Sequence, residues 1–439
     1  MNFEAKRLGD VAEIIGGGTP STKDAGNWDG DIPWLTPKDL SSFEGIYVDR
    51  GSRSITEQGF KTSSAKMLPA GAVLYTSRAP IGYVAIASNP IATNQGFKSL
   101  ILKDGYVPEF VFYLLKASKS EIESHASGGT FAEISAKALS DVVLRFPPKV
   151  QQHAISKLLK SFDEKIATNN AISKTLEDVA HTIFKSWFID FDPVKAKMAG
   201  KKPEGMDAAT AAIFPDSMEE SELGLIPKGW KVKALADICV TTIGGLWGND
   251  EESLENPDSY QCIRGVDMDD LKSLGYAPRV PIRWDKVHNY SKRLLSGNQI
   301  LIAGSGAGPV AKSLLWDEQM NLLFSQPVVF SNFVKRFECN SNDMASFVSS
   351  ILTVMYESRE IFTFVNGTSV PNLQDRELLT SKKVALPSND LLRTFDSIKR
   401  TSIKRKYSGE NSNLVAIRDS LLPRLISGEL QIPDEMLAS

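Results

Sequence analysis

The residue types from which catalytic and ligand sites are built are all present in this chain, and their spacing decides what they can do. His125, His153, His181 and His288 are too dispersed to suggest metal ligation. Cys239, Cys262 and Cys339 form neither a disulfide framework nor a metal-type pair. Asp163-Glu164-Lys165 has the side chains of a nuclease site, but it sits between Phe162 and Ile166 of an apolar helical seam and reads as a solvated helix face. Gly304-Ser305-Gly306-Ala307-Gly308-Pro309 follows a strand-like run. A dinucleotide fingerprint would need glycine where Pro309 stands and a helix whose free N–H groups face a phosphate, so a tight turn is expected instead. No G-x-x-x-x-G-K-[ST] loop, G-x-S-x-G elbow or Ser/His/Asp arrangement occurs. Asp190-Phe191-Asp192-Pro193-Val194 lacks the double-proline–aromatic pattern of an adenine aminomethyltransferase loop. The expectation is a protein that binds rather than catalyses.

Something must position whatever this chain binds, and the plan of the positioning elements is written twice. At 439 residues the chain is too long for one compact core. Leu8-Gly9-Asp10-Val11 with Ile15-Gly16-Gly17 returns as Leu235-Ala236-Asp237-Ile238 with Ile243-Gly244-Gly245. Lys38-Asp39-Leu40 corresponds to Val266-Asp267-Met268, Gly71-Ala72-Val73-Leu74 to residues 297–301, Asn94-Gln95 to Ser325-Gln326, and Gly129-Thr130 to Gly367-Thr368. Each half reaches a β-like run ending in proline, 142–148 and 383–387, and a long helical pattern follows. The shared order points to a tandem duplication of a mixed α/β unit with one amphipathic helix, 109–118 and 344–356, each unit followed by a long helix.

Across 151–187 apolar residues fall at Ile155, Leu159, Phe162, Ile166, Leu176, Ala180, Ile183 and Trp187, in alternating steps of three and four. Asn169 and Ser173 complete the seam. So narrow a stripe, on a helix of roughly 55 Å, implies a coiled-coil partner, and a seam asparagine would fix its register. The second pattern, 390–427, places Leu392, Phe395, Ile398, Ile403, Tyr407, Leu414, Ile417, Leu421 and Leu425 less regularly; Ser408-Gly409 threatens its middle and Pro423 must kink or end it. Leu176-Val179-Ile183-Trp187 matches Leu414-Ile417-Leu421-Leu425 in spacing, and antiparallel pairing of the two helices is the simplest architecture. Residues 192–222, rich in Lys, Glu, Ala, Gly and Pro, read as a linker or loose extension.

Composition bounds the setting. No apolar run approaches the roughly 18 residues of a membrane span, and the first residues lack a signal-peptide pattern, so a cytoplasmic, reduced protein is expected. A net charge of −3 argues against a chain that holds DNA unaided, unless its charges are segregated or partners supply phosphate contacts.

Taken in order, these segments resemble the specificity subunit of type I restriction–modification enzymes. The resemblance is carried by Leu8-Gly9-Asp10-Val11 with Gly16-Gly17-Gly18-Thr19-Pro20, Ser77-Arg78 before Ile81-Gly82, Asn94-Gln95-Gly96, Gly129-Thr130, and Phe146-Pro147-Pro148 before Gln151-Gln152. Phe184-Lys185-Ser186-Trp187-Phe188, Asp190-Phe191-Asp192-Pro193-Val194, Ile226-Pro227-Lys228-Gly229-Trp230 and the stretch from Leu421-Leu422-Pro423 to Gly428-Glu429-Leu430 complete it. It covers nearly the whole chain. It implies an α+β architecture of two target-recognition domains, 1–149 and 227–388, separated by antiparallel coiled-coil helices, 150–189 and 389–431, with a linker at 190–226 and a tail at 432–439. Each domain would read one half of an asymmetric, interrupted site in double-stranded DNA. The helices would set the spacing and dock the methyltransferase subunits, and restriction subunits would join the complex. S-adenosylmethionine, ATP and Mg would belong to those partners, with no cofactor and no metal in this chain.

Reading base edges calls for side chains that offer donors and acceptors in fixed pairs, with arginine suited to guanine and asparagine or glutamine to adenine. The candidates are Lys38, Arg78, Asn94 and Gln95 in the first half and Arg264, Ser305, Ser325 and Gln326 in the second. Gly17, Thr19, Gly129, Thr130 and Thr368 stand in loops whose backbone N–H groups could approach phosphate. The helix positions expected to face partners or the paired helix are Ile155, Leu159, Phe162, Ile166, Leu176, Ile183, Trp187, Leu414, Ile417, Leu421 and Leu425. The second half has Pro387-Ser388 without a glutamine pair, and Ser305-Gly306 where the first has the Arg78 loop, so a different half-site is expected there. The competing reading is a non-catalytic two-domain protein-interaction scaffold, favoured by the acidic balance; it would show no salt-dependent, sequence-selective DNA binding.

Overall fold

A computed structural model describes residues 3–41, 43–128, 132–306, 308–367 and 369–433. The chain divides into two compact units, Met1–Ala167 with Leu414–Ser439, and Thr168–Asn413.

In the first unit, alternation of side chains along short strands builds two small sheets. The strands are β1 (Glu4–Arg7), β2 (Ala12–Gly16), β3 (Trp28–Leu35), β4 (Tyr47–Val48), β5 (Arg53–Ile55), β6 (Val73–Ser77), β7 (Ile81–Ala87), β8 (Ala92–Thr93), β9 (Lys98–Leu102) and β10 (Val143–Phe146). Five of them form a sheet in the order β2-β9-β6-β7-β4, and three more form a second in the order β5-β3-β8. Strand β3 pairs antiparallel with β5 and parallel with β8. Central β6 is buried along its whole length. The period of two splits its side chains between cores: Val73 and Tyr75 join one cluster with the helix Pro108–Ala117, while Leu74 joins another with Leu35, Ile91 and Phe97. Pro108 starts that helix, where a missing N–H costs nothing. Strand β1 closes on β10 in antiparallel register, Glu4 opposite Phe146 and Arg7 opposite Val143.

The second unit repeats the centre of this topology, without a counterpart of β4 and with two further strand pairs. Its strands are β11 (Met218–Ser221), β12 (Gly224–Pro227), β13 (Lys231–Ala234), β14 (Cys239–Thr241), β15 (Asp258–Ile263), β16 (Ile282–Asp285), β17 (Gln299–Ala303), β18 (Ser313–Trp316), β19 (Val328–Phe330), β20 (Val334–Cys339), β21 (Val365–Asn366), β22 (Asn372–Leu373) and β23 (Lys383–Leu386). The order β14-β20-β17-β18 matches β2-β9-β6-β7, and β16-β15-β19 matches β5-β3-β8, again with one antiparallel and one parallel pair. The pair β13-β23 matches β1-β10, and the helix Asn342–Glu357 matches Pro108–Ala117. The further pairs are β11-β12 and β21-β22. Cys239 and Cys339, a hundred positions apart in the sequence, stand opposite each other across β14 and β20 as buried free thiols.

Residues 190–226, expected as a linker, are folded. They form the helices Asp192–Met198 and Ala208–Ile213 and the hairpin β11-β12, and they bury Val194, Phe214 and Ile226. The physical reason is aromatic packing: Trp187 meets Phe214 at 5.2 Å between ring centroids, and Trp230 meets Phe188 at 5.9 Å and Phe191 at 5.6 Å.

The first helical pattern is one helix, Lys149–Phe188, of 40 residues. The second is two helices, Asn389–Lys406 and Glu410–Ser427, rather than the single one expected over 389–431. Gly409 lies between them at a φ of +77°, a conformation an α-helix cannot continue through, while Pro423 is accommodated inside the second. Pairing with the long helix is antiparallel in both units. In the first, Ile155 and Leu159 share a core with Leu425 and Ile426, and Asp163 pairs with Arg418. In the second, Asn169 meets Asn411, Glu177 meets Lys406, and Phe184 meets Phe395 at 5.2 Å.

The seam differs from its expected membership in three places. Ile417 and Val179, matched in spacing, are 46% and 47% exposed, so neither is a core position. Phe184, beside the expected Ile183, is the fully buried residue. Asp163 is no solvated face: it accepts a hydrogen bond from the Tyr113 hydroxyl at 2.5 Å and pairs with Arg418, both carboxylate and guanidinium largely buried. Ile155, Leu159, Trp187 and Leu425 are buried as expected, and Phe162, Ile166, Leu176, Leu414 and Leu421 are half-buried.

Candidate nucleic-acid interface

In the first unit, Lys38, Arg78 and Asn94 come from three separate stretches of sequence and line one concavity, together with Thr36, Pro37 and Tyr83. Lys38 follows β3, Arg78 follows β6 and Asn94 follows β8, so the concavity lies where these strands end. Thr36 and Asp39 cap each other in the turn that presents Lys38, the Thr36 N–H donating to the Asp39 carboxylate at 2.7 Å. Lys38 is exposed and has no ion-pair partner among the described residues. Arg78 lies 3.5 Å from Glu133, which also holds Lys98 at 3.3 Å. Among the described residues, one carboxylate on two cations leaves most of the guanidinium fork free.

The other candidates are structural as well as accessible. The Asn94 carboxamide oxygen accepts from the Gly96 N–H at 2.8 Å, which fixes the turn between β8 and β9. Thr19 donates its hydroxyl to the Gln95 carboxamide oxygen. Gly17 packs on this turn so closely that a Cβ would fall 2.1 Å from the Asn94 carbonyl oxygen, which only glycine permits. The Gly18 N–H, in the loop expected to offer N–H groups to phosphate, already donates to the Thr93 carbonyl at 2.8 Å. Gly129, Thr130 and Thr368 lie outside the described residues.

Equivalent positions in the second unit follow from equivalent backbone bonds. Ser77 N–H donates to Gly96 C=O and Gly304 N–H to Phe333 C=O; Ile134 N–H donates to Ser77 C=O and Leu373 N–H to Gly304 C=O. A Cβ on Gly245 would meet the Ser331 carbonyl as one on Gly17 meets that of Asn94. Arg78 therefore corresponds to Ser305, as expected, and Lys38 to Val266. Asn94-Gln95-Gly96 corresponds to Ser331-Asn332-Phe333, which corrects the expected match to Ser325-Gln326. Those two precede β19, at its opposite end, where their backbone N–H groups donate to the Gln261 carboxamide oxygen and Gln326 accepts from Ser259. Gln326 resembles Gln95 in residue type where Asn332 does not, and only the backbone bonding reveals that Ser331-Asn332 holds the equivalent position.

Arg264 is also committed elsewhere. Its guanidinium forks onto the buried Asp267 carboxylate at 2.8 and 2.9 Å and reaches the Arg279 carbonyl at 2.9 Å. The hydrogen bond to Asp267 holds its pKa above the ordinary arginine range. What sequence reasoning missed is the second concavity itself: Ser305 lines it with Asn332, Phe333, Lys335, Val370 and Asn372. Its signal was present in the order of the repeat, but the loops differ in residue type.

Among the described residues no three His, Cys, Asp or Glu side chains gather as a metal site, and no helix is long and apolar enough to cross a membrane. The model of the type I restriction modification DNA specificity domain matches residues 1–178. The type I restriction enzyme MjaIX specificity subunit of Methanocaldococcus jannaschii is 32% identical over 442 aligned positions, covering 99% of this chain and 94% of that protein. The chain belongs to the specificity subunits of type I restriction enzymes. As such a specificity subunit it is the non-catalytic component of its system. The specificity subunit is also similar to the HindI specificity subunit of Haemophilus influenzae, 27% identical with 74% of this chain and 78% of that one covered. Its fold matches the crystal structure of the type-I restriction-modification system S subunit from M. genitalium, with a TM-score of 0.55 at 17% identity over 97% of this chain and 96% of that one.

Proposed function

We propose that each unit of this specificity subunit binds one half of an interrupted, asymmetric site in duplex DNA, and that its paired helices hold methyltransferase subunits and set the gap between the halves. The single observation that supports this reading most is the repeat with its one point of divergence. Two units of the same central topology carry the same loops on the same strands, yet the loop side chains differ: Lys38, Arg78, Gln95 and Gly96 against Val266, Ser305, Asn332 and Phe333. A shared scaffold with unlike tips suits two unlike half-sites. Restriction subunits, S-adenosylmethionine and the ATP-dependent steps belong to the partners in this reading, in the cytoplasm where the substrate DNA is. Lys38 and the Arg78 fork contribute positive charge in a chain of net charge −3, and partner subunits supply the remaining phosphate contacts.

Co-expression with the cognate methyltransferase subunit, followed by mapping of methylated adenines, tests it. The expected result is a split motif with two unrelated halves. A continuous or palindromic motif contradicts the reading, and binding that ignores both salt and sequence would favour a protein-interaction scaffold instead.

A further inference from the structure

The second concavity is unlike the first in a way that names its ligand. Phe333 and Val370, which line it, are 63% and 66% exposed, whereas the position equivalent to Phe333 in the first unit is Gly96. Two large apolar side chains at one concavity offer apolar surface that a ligand with an apolar group would bury. Around them stand Asn332 and Asn372, both exposed, whose side-chain amides have no hydrogen-bond partner among the described residues. Each therefore keeps a donor and an acceptor side by side. Among the described residues Lys335 supplies the one cation lining this concavity, and it lies 3.9 Å from Asp375. Among the described residues no arginine lines it, while Arg78 lines the first.

Base pairs present a small alphabet to such a surface. The major-groove edge of unmodified DNA carries one apolar group, the C5 methyl of thymine, and it stands beside the adenine N6/N7 pair that an Asn amide matches. Guanine, by contrast, is matched by the arginine fork or by a lysine ammonium, and the lysine of this concavity stands beside the Asp375 carboxylate. We propose that the second unit reads an A·T pair, with Phe333 and Val370 against the thymine methyl group and Asn332 or Asn372 on adenine, whereas the first unit reads guanine through Arg78. The proposal rests on the reading that each unit binds half a site.

The test uses the complex of this chain with its methyltransferase subunit and synthetic duplexes of the mapped motif free of 5-methylcytosine. Replacing thymine by deoxyuridine, position by position, removes only the methyl group. At one thymine of one half-site this is expected to weaken binding about fourfold, the worth of one buried methyl group. Phe333→Ala should bind the thymine and deoxyuridine duplexes equally, while leaving the response to the other half-site unchanged. Val370→Ala provides the same comparison should Phe333→Ala fold poorly. A split motif in which no deoxyuridine substitution matters, or in which both variants keep the wild-type preference for thymine, overturns the inference while the half-site reading stands. Absence of any sequence-selective binding overturns the reading itself.

Discussion

At the scale of single residues, the side chains proposed to touch DNA and those that shape the loop are interleaved. Asn94 and Gln95 support their own turn through Gly96 and Thr19, and Gly17 is fixed by lack of space, so substituting these three would perturb loop shape and reading together. Arg78 is different: among the described residues its one partner is Glu133 at 3.5 Å, and it supports no backbone group. Arg78→Ala is expected to cost about 1–3 kcal/mol of discrimination at one base pair of one half-site. Competition binding by the complex with duplexes varied at each position checks this; an equal loss on every sequence would make Arg78 a phosphate contact. Arg264 had the right residue type, but its pairing with buried Asp267 makes it part of a cap.

At the scale of elements, the helices carry polar groups where a plain coiled coil has leucine. In the second unit Asn169 donates to Asn411 at 2.9 Å and accepts from Arg405 at 2.5 Å, and Asn411 donates to Asn170 at 2.7 Å. Such a network permits one register, because any slip leaves buried amides unpaired. In the first unit Asp163 plays this part with Arg418 and Tyr113, whose phenol is pushed up by burial and by the adjacent carboxylate. Arg418→Met leaves the enclosed Asp163 without its guanidinium partner, and is expected to cost about 3 kcal/mol, read from urea unfolding of the full chain. Adding Asp163→Asn should restore most of it, since the pair is worth less than the penalty for breaking it; a second loss of equal size would show that the two side chains act independently.

At the scale of the whole molecule, a 40-residue helix rising 1.5 Å per residue is about 60 Å long. Removing two turns from it takes away about 10 Å, or roughly three base pairs. The expected outcome, read by mapping adenine methylation, is two unchanged half-site sequences with an altered gap, or no methylation. A change within either half-site sequence would mean that the helix shapes the reading loops and does not act as a ruler.

What the sequence determined by itself is whatever repeats or is periodic. The duplication, the β-runs before each helix, the amphipathic helices and the seam polar residues Asn169 and Ser173 follow from order and spacing, because period and burial are tied together in helices and strands. The family resemblance rested on the same order. Tertiary structure alone decided where residues distant in the chain meet. Asp163 with Arg418 and Cys239 with Cys339 are pairings across helices and strands that leave no local mark, and it is backbone packing that gives Ser331 the position in its unit that Asn94 has in the other. It also decided that residues 190–226 fold, because three buried apolar side chains outweighed a composition typical of linkers. The loops proposed to face DNA were the hardest to place, for a physical reason. Backbone hydrogen bonds hold their shape, which frees their side chains to differ, and it is that difference that would make two halves of one site distinct.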